Sequence, residues 1–375
     1  MDNKEPLRIL HVVTTMNRGG LETLIMNYYR AIDRNAFQFD FLVHRMERSD
    51  YEDEIERLGG RVYRIQRLNP FSRSYQHDLY SFFSSHPEYK IVHVHQDCLS
   101  AVALKQAMRA GVPVRIAHCH SSHQDKNLKF LIKSLYKGKI ARYATNLLSC
   151  SNEGGRWMFE TSNFDLLPNA IDLTRFFYNE DKRLSYRKEF SIKEDAFVCG
   201  HVGRFDEVKN HAFLIDAFAK VVEKDPEAVL ILIGSGPLEE QIKQKVRSIG
   251  LDQNVRFLGL RTDVADLYSC MDMFIFPSIY EGTPMVLIEA QTAGLPCLIS
   301  NGIPSDCEVT PLIRRENLET GAVVWAEKIL GQKREERTRY QEIMSNSNYN
   351  VRFSVRKLQD YYSRLYEKSS AVRGR

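Results

Sequence analysis

Ser278-Ile-Tyr-Glu-Gly-Thr-Pro-Met-Val-Leu-Ile-Glu-Ala290 is the stretch that decides the fold, because it places a turn and a helix start directly after a buried strand. The preceding residues, Met273-Phe-Ile-Phe276, are apolar and β-prone, which predicts that strand. Gly282 permits a sharp turn, and Thr283 followed by Pro284 predicts an N-cap and a first helical residue. Strand, glycine turn and helix in this order are typical of α/β proteins.

The start of this helix is a predicted anion site. The unpaired N–H groups of the first turn, together with roughly half a positive elementary charge from the peptide dipoles, favour a phosphate there. Glu281 lies just before the turn and Glu289 lies further along the helix. The two carboxylates could therefore bind hydroxyl groups on either side of a bound diphosphate. The alternative is a capped core helix with two surface glutamates.

Length and composition predict a globular protein of two domains. A chain of 375 residues exceeds what one hydrophobic core usually supports. The net charge of +4 gives only a weak preference for anions, so no nucleic acid partner is expected. Seven cysteines at irregular spacing indicate reduced thiols rather than a disulfide framework or a CxxC metal site. No run approaches the ~20 apolar residues of a spanning helix and no signal peptide is recognised, so we expect a cytoplasmic protein.

Strands alternate with helices along the chain, which predicts parallel sheets. The first strand, Arg8–Thr14, leads into Gly19 and Gly20, where adjacent glycines let backbone amides approach a phosphate. The full GxGxxG fingerprint is absent, so a dinucleotide site is not predicted. Pro168 and the turn-prone Asn169 mark the end of the first domain.

Histidines cluster at the ends of two predicted strands, Ile91–His95 and Val114–His120. Their His-x-His spacing suggests zinc, but residues of a strand alternate faces and no cysteine or carboxylate cluster accompanies them, so no metal site is predicted. His120 is the exception, because it is expected at the carboxyl end of a strand, where open α/β sheets bind ligands. A neutral imidazole there could exchange one hydrogen bond with a substrate hydroxyl.

Residues 126–142 predict a basic amphipathic helix, whose cations are Lys126, Lys129, Lys133, Lys137, Lys139 and Arg142. A packed helix with a solvated basic face is the favoured interpretation, because core packing itself requires the apolar stripe. The alternative is a peripheral contact with anionic lipid at the inner face of the cell membrane, which would suit an acceptor held in a membrane.

Two cations flank one strand-to-helix junction in the second half of the chain. The predicted strand Phe197–Gly203 delivers Arg204, and Lys209 lies at the entrance to the next helix. Cations near a helix N-terminus oppose its dipole, so their presence favours a bound anion over the alternative of a solvated turn.

The following strand, Val229–Ile233, runs into a glycine-rich turn, Gly234-Ser-Gly-Pro237. Pro237 is predicted as the first residue of a helix. Gly234 and Gly236 are expected to leave room for a flat ligand against the backbone.

In this order and at this spacing, the motifs resemble the retaining, nucleotide-sugar-dependent glycosyltransferases of family GT4, and in detail their bacterial exopolysaccharide and capsule branch. The resemblance covers nearly the whole chain and rests on Asn17-Arg-Gly-Gly20 with Glu22, Ala117-His-Cys-His120, Gly203-Arg-Phe-Asp-Glu-Val-Lys-Asn210, Gly234-Ser-Gly-Pro237 and the E-x7-E run from Glu281 to Glu289. Two features depart from the family pattern: Thr283 stands where a bulkier apolar residue is frequent, and the loop Asn301–Asp306 varies.

The resemblance implies the α/β GT-B fold, in which two doubly wound, Rossmann-like domains face each other across a cleft. Residues 1–172 would form the acceptor-side domain and residues 173–350 the domain that binds the nucleotide sugar. Residues 351–375 would form a helix that crosses back to the first domain.

The resemblance also assigns roles to the candidate catalytic residues. Arg204 and Lys209 would bind the donor diphosphate, and His120 would bind the sugar. Glu281 would bind hydroxyls of the transferred sugar, and Glu289 the hydroxyls of the ribose.

Further residues would line the donor site. Gly19 and Gly20 would approach the phosphates or the acceptor, and the other donor-binding residues would be Gly203, Gly234, Gly236, Gly282, Thr283, Pro284, Met285 and Val286. No cofactor and no metal are expected, because negative charge that grows on the leaving diphosphate would be stabilised by fixed cations and helix-end amides.

The expected activity is retaining transfer of a hexosyl group from a UDP-sugar to a saccharide or a lipid-linked saccharide. No second carboxylate is placed for the double displacement that retaining glycosidases use. A nucleotide-sugar epimerase of the same fold and a non-catalytic nucleotide-sugar-binding subunit are the alternatives.

Overall fold

The computed structural model describes residues 5–120, 130–161, 163–332 and 336–373. It consists of two compact units. The first comprises Met1–Ile171 together with Val351–Arg375, and the second comprises Asp172–Asn350. Of the predicted basic helix, Lys126 and Lys129 lie outside the described residues.

A parallel sheet, seven-stranded within the described residues, forms the centre of the first unit. Its strands are β1 (Leu7–Val13), β2 (Phe37–Val43), β3 (Val62–Arg64), β4 (Ile91–Val94), β5 (Val114–Cys119), β6 (Asn146–Ser149) and β7 (Asp165–Leu166), in the spatial order β3-β2-β1-β4-β5-β6-β7. The helices between them are α1 (Gly20–Ala31), α2 (Glu52–Arg57), α3 (Arg73–Ser85), α4 (Ser100–Arg109), α5 (Phe130–Lys137), α6 (Ile140–Tyr143) and α7 (Asn152–Phe159).

The second unit is built around another parallel sheet, six-stranded among the residues described. Its strands are β8 (Val198–Val202), β9 (Val229–Ile233), β10 (Val255–Phe257), β11 (Met273–Phe276), β12 (Cys297–Ser300) and β13 (Ile313–Glu316), in the spatial order β10-β9-β8-β11-β12-β13. Its helices are α8 (Glu180–Glu189), α9 (His211–Val222), α10 (Glu239–Ser248), α11 (Val264–Leu267), α12 (Met285–Thr292), α13 (Gly321–Leu330) and α14 (Gln341–Ser345), and α15 (Val351–Arg373) then joins the first unit.

Helices pack on both faces of the first sheet, because successive side chains of a strand point to opposite sides. In β1, Ile9 and Val13 belong to the core that α1 and α15 cover, whereas Leu10 and Val12 belong to the core under α3 and α4. Strands buried on both faces read as nearly continuous apolar runs, which is why they were predictable. This arrangement directs the carboxyl ends of all strands in the sheet to one edge.

Three elements have no counterpart in the sequence prediction, namely α4, β7 and β13. The last strand reads Ile-Arg-Arg-Glu and lies at the edge of its sheet, so it lacks the apolar run of a buried strand. The helix predicted to start at Pro237 begins at Glu239. The single closing helical stretch predicted from Arg334 to Glu367 is two helices, α14 and α15. No helix among the described residues is long and apolar enough to cross a membrane.

Candidate functional site

The loops that follow β8 and β11 are tied together at the carboxyl ends of these neighbouring strands. The amide of Ile279 donates to the carbonyl oxygen of Val208 at 2.8 Å. The side-chain amide of Asn210 donates to the carbonyl oxygen of Pro277 at 3.3 Å. Asn210 itself has a left-handed backbone with φ +55°, a conformation that asparagine tolerates better than most residues. The loop that carries the predicted cations Arg204 and Lys209 and the loop that carries Glu281 are therefore held together.

Lys209 and Glu281, one from each loop, form an ion pair. The Lys209 Nζ lies 2.5 Å from a carboxylate oxygen of Glu281, and the two side chains are only 18% and 13% exposed. The same ammonium lies 5.0 Å from the centre of the Phe276 ring, within cation–π range. An ammonium has three N–H donors, so Lys209 retains donors for an anionic ligand while Glu281 holds it in place.

Arg204 lies on the same loop as Lys209 and is exposed. Its guanidinium forms no hydrogen bond or ion pair with any other described residue, in contrast to Lys209. The Arg204 guanidinium is therefore accessible to an anionic ligand.

The helix α12 begins one residue later than predicted. Met285 is its first residue, and Pro284 occupies the N-cap position with ψ 97° and without a side-chain cap. The prediction that Thr283 caps the helix is wrong, because the proline ring holds φ at −74° but the chain becomes helical only after it. The first amides of the helix, those of Met285 and Val286, have no intrahelical partner and remain free for a ligand.

Glu289 lies on α12 and is partly desolvated. Burial raises the pKa of its carboxyl group to about 7, against a smaller lowering by a hydrogen bond from Tyr268. The Tyr268 hydroxyl donates to Glu289 at 2.9 Å. Glu289 therefore changes charge close to neutral pH. Sequence reasoning missed Tyr268, which lies 21 residues earlier in the chain and belongs to no motif.

The glycines of the second unit bring two backbone segments into contact. Gly234 has φ +136°, and a Cβ there would lie 2.1 Å from the carbonyl oxygen of Gly203. A Cβ on Gly236 would lie 2.5 Å from the carbonyl oxygen of Phe205. The interpretation that Gly234 and Gly236 leave room for a flat ligand is therefore corrected, because the loop after β8 fills that space.

The variable loop Asn301–Asp306 supports the loop after β11. A Cβ on Gly302 would lie 1.9 Å from the carbonyl oxygen of Ile279, so this contact requires glycine. The Ser300 hydroxyl also donates to the carbonyl oxygen of Ser278. The loop that carries Glu281 is thus held from two sides.

In the first unit, Gly19 and Gly20 lie at the start of α1, with Gly19 at the N-cap position. A Cβ on Gly19 would lie 2.3 Å from a carboxylate oxygen of Glu22, whereas Gly20 faces open space. A phosphate at Gly19 would meet this carboxylate. The prediction that Gly19 and Gly20 approach the phosphates or the acceptor therefore stays a prediction.

The histidines of β1, β4 and β5 lie on one face of the first sheet. The argument that strand alternation separates them is wrong, because positions two apart point to the same side. His93 stacks on His95 with ring centres 4.2 Å apart, and His118 and His120 are 4.1 Å apart. The buried His11 adjoins both His93 and His95.

These histidines form a continuous chain of hydrogen bonds with a cysteine and a tyrosine. The nitrogens of His11 and His95 are 3.0 Å apart, and those of His93 and His118 are 3.2 Å apart. One end of the chain is the Tyr362 hydroxyl on α15, 2.8 Å from His93. The chain runs in the order His11, His95, His120, Cys150, His118, His93 and Tyr362.

His120 uses both of its ring nitrogens in this chain. Its Nε2 lies 2.9 Å from His95 Nδ1, and its Nδ1 lies 3.1 Å from the sulfur of Cys150. The expected hydrogen bond from His120 to a substrate hydroxyl therefore requires one of these contacts to open. Cys150 was missed because it follows a different strand, and its proximity arises only in the folded sheet.

Among the described residues, two groups of three histidines could hold a metal ion, because their ligand nitrogens lie within 4.8 Å of one another. One group is His11, His93 and His95. The other is His95, His118 and His120. Neither group includes a carboxylate. A divalent ion here would be buried without a compensating negative charge, which is costly. The hydrogen bonds already give these nitrogens partners, apart from Nε2 of His11, which is buried and unpaired.

The buried histidines should make the stability of the protein depend on pH. Burial lowers the pKa of His11 and of His120 to about 3 and that of His118 well below its ordinary value. Unfolded histidines titrate near 6.5, so below about pH 6.5 the unfolded state binds more protons. We expect the melting temperature to fall as the pH is lowered from about 7 to about 5, each histidine costing at most about 1.4 kcal/mol per pH unit.

The control separates this effect from other titrations. His118→Gln should make the melting temperature less dependent on pH, whereas His77→Gln, at an exposed position on α3, should leave the dependence unchanged. Equal pH dependence in both variants would show that the buried histidines do not control acid stability.

Comparisons with known proteins match both units. Residues 18–175 match the family described as Glycosyltransferase Family 4, and residues 182–324 match Glycosyl transferases group 1. The crystal structure of HepE from Anabaena in complex with UDP has a TM-score of 0.79, covering 95% of this chain and 99% of that chain at 17% identity. This likeness confirms the predicted GT-B fold of two parallel α/β sheets.

Three curated relatives are similar in sequence. The capsular polysaccharide biosynthesis glycosyltransferase CapH of Staphylococcus aureus is 24% identical over 95% of this chain and 98% of its own length. The UDP-Gal:alpha-D-GlcNAc-diphosphoundecaprenol alpha-1,3-galactosyltransferase of Escherichia coli is 28% identical over 59% of this chain and 60% of its own. The putative glycosyltransferase EpsF of Bacillus subtilis (strain 168) is 35% identical over 98% of this chain and 99% of its own length. Such identity over the full length, with both family matches, shows that the chain belongs to glycosyltransferase family 4.

Proposed function

We propose that this protein is a retaining glycosyltransferase that moves a hexosyl group from a UDP-sugar to a saccharide or lipid-linked saccharide in bacterial surface polysaccharide synthesis. The proposal draws on UDP in the HepE structure, on the capsular role named for CapH and on the lipid-linked acceptor named for the galactosyltransferase. The site of action would be the cytoplasm, with residues 126–142 as a peripheral membrane contact. We expect no nucleic acid partner.

The observation that carries the proposal is the cationic group beside the start of α12. Lys209 is fixed by Glu281, and Arg204 on the same loop is exposed and forms no ion pair with another described residue. As the bond between sugar and diphosphate breaks, negative charge grows on the diphosphate, and preorganised donors stabilise it most at that moment. Arg204, Lys209 and the first amides of α12 would supply these donors.

The carboxylates would bind the two sugars of the donor. Glu289 would accept hydrogen bonds from the ribose hydroxyls, and Glu281 would bind hydroxyls of the transferred sugar through the carboxylate oxygen that is not paired with Lys209. Because fixed cations and amides compensate the diphosphate, the transfer would need no divalent metal. Retention would follow from attack on the face that the leaving group vacates.

The first prediction concerns the two cations. Arg204→Ala and Lys209→Ala should each lower kcat by about a hundredfold or more, because each removes one donor to the leaving diphosphate. The assay follows UDP release from a nucleotide sugar chosen by thermal shift, since a bound donor raises the melting temperature. Product NMR then gives the configuration at the anomeric carbon.

Matched variants test whether charge in general or charge at this place matters. Lys220→Ala removes a lysine of α9 that pairs with Glu223, and its kcat should remain near that of the parent. Near-parental rates in both Arg204→Ala and Lys209→Ala would refute the proposed clamp. Donor consumption that yields an epimer without any acceptor would indicate an epimerase, and binding without turnover would indicate a non-catalytic subunit.

The second prediction concerns the charge of Glu289. An ionised carboxylate accepts hydrogen bonds from hydroxyls more strongly than a neutral acid. The affinity for the nucleotide sugar should therefore fall, and its Kd rise, as the pH is lowered from about 8 to about 6. The change should be centred near the Glu289 pKa of about 7. Isothermal titration with an intact nucleotide sugar measures this without the terminal phosphate of UDP, which itself titrates near pH 6.

Two variants identify the titrating group. The hydrogen bond from Tyr268 lowers the Glu289 pKa, so Tyr268→Phe should move the Kd profile to higher pH. Glu289→Gln should bind weakly and independently of pH. An unchanged profile in both variants would assign the pH dependence to another group.

A further inference from the structure

A basic pocket lies in the first unit, at the carboxyl ends of β1, β2 and β3. It has a volume of about 440 Å³ and is lined by Thr15, Asn17, Arg45, Glu47, Arg48, Ser49 and Arg67. This volume is within the roughly 300–1,000 Å³ of ligand sites. Open α/β sheets bind ligands at this edge, so the pocket lies where the fold predicts a ligand.

Two of the three arginines that line the pocket have unpaired side chains in the described part of the chain. Arg45 and Arg67 form no hydrogen bond or ion pair with other residues in the described part of the chain. Arg48, in contrast, pairs with Asp53 and Glu56 at 2.5 and 2.7 Å. Only one lining residue, Glu47, carries a negative charge. The pocket is therefore positive overall.

Hydrogen bonds fix the polar residues that line the pocket. The hydroxyls of Thr15 and Ser49 are 3.1 Å apart, and the amide of Ser49 donates to Glu52 at 2.8 Å. Glu52 is fully buried and paired with Arg64. The amide of Asp50 donates to the side chain of Asn17 at 3.1 Å. The hydroxyls and arginines of the pocket could bind a phosphate, because guanidinium groups bind phosphate oxygens in a bidentate manner.

We propose that this pocket binds the phosphate or diphosphate group of the acceptor, through Arg45 and Arg67. The inference rests on the proposed transferase function and names the chemical class of its acceptor. The donor diphosphate is assigned to Arg204 and Lys209 in the other unit, so this pocket is free for a second phosphorylated ligand. A lipid-linked sugar diphosphate and a water-soluble sugar phosphate both present this group.

Inorganic pyrophosphate is the probe, titrated in the presence of saturating UDP so that the donor site is occupied. The parent should bind pyrophosphate, and Arg45→Ala/Arg67→Ala should bind it at least about tenfold more weakly, because hydrogen bonds to charged groups are lost. Arg57→Ala, an exposed arginine of α2 outside the pocket, should bind like the parent. No binding to the parent, or equal binding to the double variant, would overturn the proposal.

Farnesyl diphosphate distinguishes the two sources of the phosphate group. Binding tighter than pyrophosphate, and weakened in the double variant, supports a lipid-linked acceptor. Binding equal to pyrophosphate and weakened in the double variant supports a soluble sugar phosphate. Binding that the double variant leaves intact contradicts the proposed pocket.

The donor site gives an independent measurement. Both substituted arginines are on the surface of the pocket, so the double variant should keep the parental melting temperature and the parental Kd for UDP. If UDP binds normally while pyrophosphate binding is absent from the parent, this inference fails and the transferase proposal stands. If neither ligand binds to the parent, the proposed function fails first.

Discussion

The ion pair between Lys209 and Glu281 is the interaction on which the candidate donor site depends. It joins the loop after β8 to the loop after β11 with both partners largely buried. Removing one member of a buried pair leaves an uncompensated charge, which is strongly destabilising. The pair therefore holds an ammonium group in position before any ligand arrives. The loops around it are fixed by backbone hydrogen bonds and by glycines that allow close backbone contact.

Local sequence patterns were sufficient for most of the fold. The strands β9 and β11 were predicted at their observed bounds because buried parallel strands are short apolar runs. The pairing of Lys209 with Glu281 was not predictable, although both were proposed as site residues, because they lie 72 positions apart. The sequence pattern singles out Gly234 and Gly236 but does not reveal that they allow close packing of two backbone segments. Only the folded structure shows that Gly234 faces the backbone of Gly203.

The first unit combines two different polar environments at one sheet. The histidine chain is buried and neutral, and it links three central strands to Tyr362 on the C-terminal helix. The arginine pocket is open and positive, at the ends of the strands on the other side of β1. The sequence shows His-x-His pairs on two strands but not the continuous chain, because its members come from three strands and a following loop. The arginine pocket is not predictable either, because its arginines come from two loops. Both depend on the parallel order that brings the carboxyl ends of strands together.

The central claim is that the cations of the second unit bind the diphosphate of a nucleotide sugar. A crystal structure of the protein with UDP bound tests it most directly. The account predicts Lys209 Nζ and the Arg204 guanidinium within about 3 Å of diphosphate oxygens, and the ribose hydroxyls at the Glu289 carboxylate. A diphosphate bound elsewhere, with Lys209 paired only to Glu281 and Arg204 still in solvent, would contradict it.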